Sequence, residues 1–320
     1  MKVIQCVKLS SYLDLELHEI DPPGEPAADE IKVQLVARGI QFSDLVRFEG
    51  NYQVQTAMPW IVGGEAAGNV VAIGDNVSDL KMGDLVLCPG GCAEEVLVPA
   101  KRATKIPAGV DPIVAASFRS NYNTALDGLQ RAGLKQGETL LVHGAAGGVG
   151  LAAVDIGKLY GATVIATAST DEKLKVVGEM GADHTINYTD GFRDAVKSLT
   201  NGLGADVIYD PVGGDVFDES VRCIAPFGRI LVLGFTSGRA ALAKTNHLLV
   251  KDASVIGYTV GGLMKYRSAQ ARQNDLTIMG WLKSGRIRPY ISHVLPMSEI
   301  VEAYQLIVDR KAIGKIMLTN

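Results

Sequence analysis

The feature that most constrains the fold is an alternation. From about residue 121, short apolar runs alternate with runs of helical spacing. ETLLVHG precedes GVGLAAVDIGKLYG, ATVIATA precedes DEKLKVVGEMG, and HTINY precedes FRDAVKSLTNG. DVIYDPVGG then precedes FDESVRCIAPFG, RILVLGF follows, and SVIGYTV (254–260) reads as a last strand. Buried strands joined by amphipathic helices require right-handed crossovers, and those require a parallel sheet covered on both faces. The class is α/β, with a doubly wound parallel sheet.

Residues 1–120 read differently. KVIQCV, EIKVQLVA, GNVVAIG, DLVLC and EEVLVP are short alternating runs punctuated by Gly, Pro and Asp. That pattern gives a β-rich, barrel-like region with little helix. In the tail, QNDLTIMGWLKSG and SEIVEAYQLIVDR carry helical patterns, with Ser298 placed as N-cap of the second, and GKIMLTN closes as a strand. A length of 320 residues suits two such domains.

Composition excludes several classes. A net charge of −4 leaves no electrostatic footprint for nucleic acid. No basic amphipathic run marks a membrane surface, and no uncharged apolar run has the length of a membrane span. The start, KVIQCVKLSSYLDLEL, alternates and carries charge, which is a strand pattern rather than a signal peptide. The four cysteines, Cys6, Cys88, Cys92 and Cys223, are sparse, which suits a reducing, cytoplasmic setting. CPGGC (88–92) is the one close pair, and without two further ligands nearby it reads as plain thiols beside a turn.

HGAAGGVG (143–150) stands between the first strand of the alternating series and a helix, the context that a dinucleotide turn needs. In that reading Ala146, Gly147, Gly148 and Val149 meet the pyrophosphate, Gly150 lets helix and strand pack closely, and the helix N-terminus supplies free N–H groups. An NAD site places an acid at the tip of the next strand. Here the strand ends ATAST, so Ser169 and Lys173 are the candidates for a ribose 2′-phosphate. Two alternatives stay open: Asp171 and Glu172 as displaced acids of an NAD site, or as first-turn helix acids behind a Thr170 cap, with Lys173 then a solvated residue. The expectation is NADPH over NADH. The histidines, at 18, 143, 184, 247 and 293, are scattered and read as structural.

The chain resembles, end to end, the medium-chain dehydrogenase/reductase superfamily, and within it the zinc-free quinone oxidoreductases of the zeta-crystallin group. The matching stretches are GIQFSD and GNY (39–52), GGEAAGNVVAIGDNV (63–77), KMGDLV (81–86), LVHGAAGGVGLAA (141–153), GADHTINY (181–188), DPVGGDVF (210–217) and GKIML (314–318). The resemblance implies a GroES-like β-barrel catalytic domain over 1–120 and 261–320, and an NADP-binding Rossmann domain over 121–260. It also implies an active site between them and a homodimer paired near SVIGYTV.

The same resemblance locates candidate residues. Where zinc-dependent relatives carry ligands, this chain has Gln41, Gly64 (before Glu65) and a position near Ala116, so no metal is expected. Tyr52 matches a tyrosine of the nicotinamide cleft and is a candidate proton or hydrogen-bond donor. Gln41 stands where quinone reductases usually have Asn. Thr124 resembles a residue near the nicotinamide carboxamide, with Asn121 and Asn123 beside it as candidates for tuning substrate choice. Tyr188 resembles a residue over the adenosine phosphate, and Gly234 and Phe235 end the fifth strand near the nicotinamide.

Without a metal to polarise a carbonyl, the acceptor must already be electron-poor: a quinone, an enone or an enoyl thioester. The leading expectation is an NADPH-dependent reductase of quinones or activated alkenes. The alternatives are a reductase of a short enoyl thioester such as an acrylyl-type coenzyme A ester, for which Lys265, Arg267 and Arg272 are the candidate phosphate contacts, or a non-catalytic NADPH-binding protein.

Overall fold

The structure, a computed structural model, describes residues 1–52, 55 and 57–320. In chain order the first elements are β1 (Lys2–Cys6), β2 (Glu16–Glu19), β3 (Glu30–Gly39), α1 (Phe42–Phe48), β4 (Trp60–Ile61), β5 (Glu65–Ile73), β6 (Leu85–Cys88), β7 (Glu95–Pro99), β8 (Thr104–Lys105) and α2 (Pro112–Arg131). The alternating region follows as β9 (Thr139–Val142), α3 (Gly148–Leu159), β10 (Thr163–Ala168), α4 (Asp171–Glu179), β11 (His184–Asn187), α5 (Arg193–Leu199), β12 (Ala205–Asp210), α6 (Gly214–Cys223), β13 (Ile224–Val232), α7 (Thr245–Leu249) and β14 (Ser254–Gly257). The chain ends with α8 (Val260–Tyr266), α9 (Ser268–Lys283), β15 (Ile291–Pro296), α10 (Ile300–Val308) and β16 (Lys315–Thr319).

Contacts divide the chain into two units. The first holds Met1–Arg119, Asp275–Gly285 and Pro289–Asn320; the second holds Ser120–Asn274 and Arg286–Arg288. Residues 261–274, assigned by the sequence reading to the first domain, therefore pack with the second. One long-range contact that ties them there is Arg267, just after α8, which pairs at 3.3 Å with Asp127, buried on α2.

In the first unit a seven-stranded sheet runs β15-β16-β3-β5-β6-β8, with β7 also on β3, and a three-stranded sheet runs β2-β1-β4. The antiparallel β3–β5 pairing sets Gly39 opposite Glu65, and β16 lies along the other side of β3 with Met317 opposite Gly39. One core gathers Ile4, Phe48, Val62, Tyr304 and Leu318, where Phe48 meets Tyr304 edge-on at 5.3 Å between ring centroids. Fully burying a large apolar side chain of this kind stabilises by roughly 1.5–3 kcal/mol.

In the second unit six strands form a parallel sheet in the order β11-β10-β9-β12-β13-β14. Its strands are buried runs such as Leu140, Leu141 and Val142, as a sheet covered on both faces requires. β9, first in sequence, lies between β10 and β12, so the chain reverses its winding there. In open α/β sheets ligands bind outside the carboxyl ends of the strands at such a reversal.

Two local expectations need correction. FDESVRCIAPFG is not helical throughout: α6 stops at Cys223 and β13 begins at Ile224. Pro226 lacks the N–H that a helix would use and biases Ala225 toward extended backbone. Ser298 does not cap the last helix. It lies inside a 3-10 turn, Met297–Glu299, and Glu299 takes the cap position without a side-chain bond. No helix among the described residues is long and apolar enough to cross a membrane.

Candidate functional site

The second unit places a glycine turn at the sheet's reversal point. β9 ends at Val142, and His143 follows with its backbone N–H on the Tyr209 carbonyl at 3.0 Å. The His143 ring is buried, with Nδ1 3.0 Å from Thr167 Oγ1 and Nε2 2.9 Å from Ser220 Oγ. Burial pushes its pKa down to about 3, so the ring is a neutral tie between β10 and α6.

Gly144 takes φ +56°, a left-handed turn that glycine adopts without strain. A Cβ at Gly150 would stand 2.4 Å from the Gly144 carbonyl oxygen, so only glycine lets α3 start this close to the turn. The N-cap of α3 is Gly147, which has no side chain to bond the first turn. The first N–H groups of a helix have no intrahelical partner, and with the helix dipole they favour an anion. Ala146, Gly147, Gly148 and Val149 all lie in this turn, with Gly147 exposed. Beside it Asp210, at the end of β12, accepts from the N–H groups of Val212 (2.8 Å) and Gly213 (2.9 Å). Burial raises its carboxyl pKa.

Ser169 and Tyr188 come together. β10 and β11 pair in register with Ala168 opposite Asn187, so the two residues follow adjacent strand ends. Thr170 caps α4 by accepting from the Lys173 N–H, and Asp171 and Glu172 occupy the first turn. Asp171 Oδ1 accepts from Asn187 Nδ2 at 3.3 Å. Lys173 is half-buried on that turn. Gly234 and Phe235 follow β13. The Phe235 ring lies against Gly213, where a Cβ would be 2.8 Å from its Cδ1. Thr124 is buried on α2, and its hydroxyl donates to the Ser120 carbonyl at 2.7 Å, leaving the oxygen as an acceptor.

The first unit holds Gln41 and Tyr52 at opposite ends of α1. The Gln41 backbone N–H donates to Asp44 Oδ2 at 2.9 Å, and its Nε2 stands 3.5 Å from Glu65 Oε1. Ser43 Oγ donates to Gln41 Oε1 at 3.4 Å. Glu65 is ion-paired with Lys315 of β16, and both side chains are buried. A Cβ at Gly39 would lie 2.7 Å from Lys315 Cε and 2.8 Å from Glu65 Oε1, so that glycine makes room for the pair. Asp44 is buried and accepts from the Tyr304 hydroxyl at 3.0 Å. Burial raises its carboxyl pKa, against the pull of the Gln41 N–H and Arg47. Tyr52 is half-buried, with the Arg47 guanidinium 4.4 Å from its ring centroid and 5.4 Å from that of Trp60. Its neighbours Gln53 and Val54 lie outside the described residues.

The residues at the expected zinc positions do not suit the ion. Gly64 and Ala116 bring no donor side chain, Gln41 offers an amide bonded toward Glu65, and Glu65, the residue after Gly64, already holds an ammonium. Among the described residues no group of three His, Cys, Asp or Glu side chains stands within metal reach. All four cysteines are free and buried, and burial pushes the Cys88 and Cys92 thiols up to about 12. Lys315 and Asp44 were missed as site residues by sequence reasoning. Both stand inside quoted motifs, GKIML and GIQFSD, but nothing local in either marks them as neighbours of Gln41 and Glu65.

Comparison with known proteins matches residues 27–108 to the alcohol dehydrogenase GroES-like domain and residues 148–274 to the zinc-binding dehydrogenase family. A quinone oxidoreductase-like protein 2 homolog of Nematostella vectensis is 40% identical over 299 residues, 91% of this chain and 82% of that one. A 2-haloacrylate reductase of Burkholderia sp is 32% identical over 310 residues, 92% of each chain. The crystal structure of Escherichia coli quinone oxidoreductase complexed with NADPH superposes with a TM-score of 0.91 at 27% identity, covering 100% of both chains.

Proposed function

This chain belongs to the medium-chain dehydrogenase/reductase superfamily, in its quinone-oxidoreductase-like group, and from that premise we propose that it is an NADPH-dependent, zinc-independent reductase of quinones or activated alkenes. The observation that carries the reading is what stands at and beside the zinc positions: the Gln41 amide at one of them, directed at a buried Glu65–Lys315 ion pair that follows Gly64.

The residues of the second unit fit a dinucleotide. The uncapped first turn of α3 meets the pyrophosphate, Ser169 and Lys173 meet the 2′-phosphate, and Tyr188 lies over the adenosine end. Asp171 is held by Asn187, so the carboxylate that would favour an unphosphorylated ribose is engaged within the protein. Thr124 accepts from the carboxamide, and Phe235 walls the nicotinamide. The cofactor supplies a hydride equivalent from nicotinamide C4. In the first unit Gln41 donates to the substrate oxygen, and Tyr52 holds or delivers the proton. Such donors stabilise a developing oxyanion or enolate, which suits acceptors already electron-poor.

The similarity to a 2-haloacrylate reductase favours a second reading within the same chemistry, in which the acceptor is an acrylate-type alkene conjugated to a carboxyl or thioester. A panel of quinones, enones and acrylate derivatives, assayed with NADPH and NADH, separates the two. If NADPH binds tightly and no acceptor oxidises it, the protein is a binding protein and the enzymatic reading fails.

We also propose a homodimer. β14 is the edge strand of its sheet, and Phe227, Leu249 and Val250 are 71%, 78% and 77% exposed. A second copy pairing along β14 covers both the open edge and the apolar side chains. The four buried free thiols suit a reducing compartment such as the cytoplasm.

A further inference from the structure

We propose that Asn121 binds the cofactor: its carboxamide, packed on the first turn of α3, donates a hydrogen bond to a pyrophosphate oxygen of the dinucleotide seated there. The inference rests on the dinucleotide reading of the glycine turn and adds to it a side chain from α2.

Two observations converge. Asn121 is only 9% exposed, and its amide has no hydrogen-bond partner among the described residues. An amide that is nine-tenths enclosed and bonded to no protein group is available to a ligand seated at its remaining opening. Its neighbours on α2 are engaged: the Tyr122 hydroxyl donates to Asp155 at 2.7 Å, and the Thr124 hydroxyl to Ser120. The second observation concerns where the amide lies. A Cβ at Gly148 would stand 2.2 Å from Asn121 Nδ2, 2.9 Å from Cγ and 3.1 Å from Oδ1. The amide therefore fills the space that a side chain at the first residue of α3 would take. The N-cap, Gly147, has no side chain to bond the turn.

A donor with nothing to bond thus stands against a helix start whose own N–H groups have nothing to bond. One anion at that place satisfies both. Gly148 acquires a second role, since its missing side chain admits Asn121 as well as the ligand.

The test measures dissociation constants by titration calorimetry. The ligands are NADPH, 2′-phospho-ADP-ribose (pyrophosphate without nicotinamide) and 2′-AMP (no pyrophosphate). Asn121→Ala is expected to weaken NADPH and 2′-phospho-ADP-ribose by about tenfold or more, the loss of a hydrogen bond to a charged group, and to leave 2′-AMP unchanged. Asn121→Asp, of the same shape but with an acceptor facing the phosphate, loses more. Gly148→Ala weakens binding by displacing the amide. The double variant Gly148→Ala/Asn121→Ala binds no worse than Asn121→Ala, because the methyl then has room. Thermal unfolding without ligand checks that each variant folds, and Asn121→Asp serves if Asn121→Ala does not. Equal NADPH affinity in wild type and both Asn121 variants overturns the inference alone, as does an equal loss for 2′-AMP. A wild-type protein that binds neither NADPH nor 2′-phospho-ADP-ribose overturns the dinucleotide reading with it.

Discussion

Lys315 and Glu65 are 250 residues apart in sequence, yet each buried charge depends on the other. Removing one partner of a buried pair leaves an uncompensated charge, which typically costs about 3–5 kcal/mol. Lys315→Met should lower Tm by roughly 10 °C in thermal unfolding, and adding Glu65→Gln should restore most of the loss. His143 gives a prediction in pH. Its folded pKa, about 3, lies below the ordinary value of 6.5, so the unfolded chain binds the extra proton between those limits. The stabilisation is complete above pH 6.5 and is lost as pH falls toward 3. His143→Gln does not titrate, so the stability of wild type relative to that variant should fall by about 2 kcal/mol between pH 7 and pH 5 in denaturant titrations. His143 reads as structural from its place before the glycines. Its partners Thr167 and Ser220 do not, because only the sheet order brings β10 and α6 to β9.

At the scale of elements, the start of α3 is tightly specified. Gly150→Ala sets a methyl 2.4 Å from the Gly144 carbonyl, so the helix must move off the turn. NADPH affinity should drop by about tenfold or more in fluorescence titration, a shift of some 1.4 kcal/mol. In the proposed function the tips of β10 and β11 govern the choice of cofactor. Lys173→Ala and Ser169→Ala should each weaken NADPH severalfold to about tenfold while leaving NADH nearly unchanged, because in the proposed reading both side chains meet the 2′-phosphate that NADH lacks. Much of this was legible in the sequence, since the turn glycines, the Thr170 cap and the first-turn acids are local signals within a few residues of one another. The Glu65–Lys315 pair was not, because it depends on β3 bringing β5 and β16 to its two sides. Pro226 is a local signal for ending α6 that the sequence reading, following the helical spacing before it, did not use.

For the whole molecule, the open edge of β14 and the exposed Leu249 and Val250 make association testable. Leu249→Asp should convert a dimer to monomer in sedimentation or light scattering without lowering the unfolding cooperativity of the chain. The barrel unit and the parallel-sheet unit were each readable as classes from periodicity. The return point of the chain was not, because the Arg267–Asp127 pair that keeps residues 261–274 with the second unit joins residues 140 apart. The central claim concerns the first unit, where an amide and a glycine occupy two expected metal-ligand positions and a buried ammonium–carboxylate pair stands beside them. Steady-state oxidation of NADPH by a quinone or activated-alkene panel, before and after exhaustive chelation, measures this most directly. The account predicts unchanged turnover after chelation and no oxidation of simple secondary alcohols with NADP⁺. Activity lost on chelation and restored by zinc, or efficient turnover of such alcohols, would contradict it.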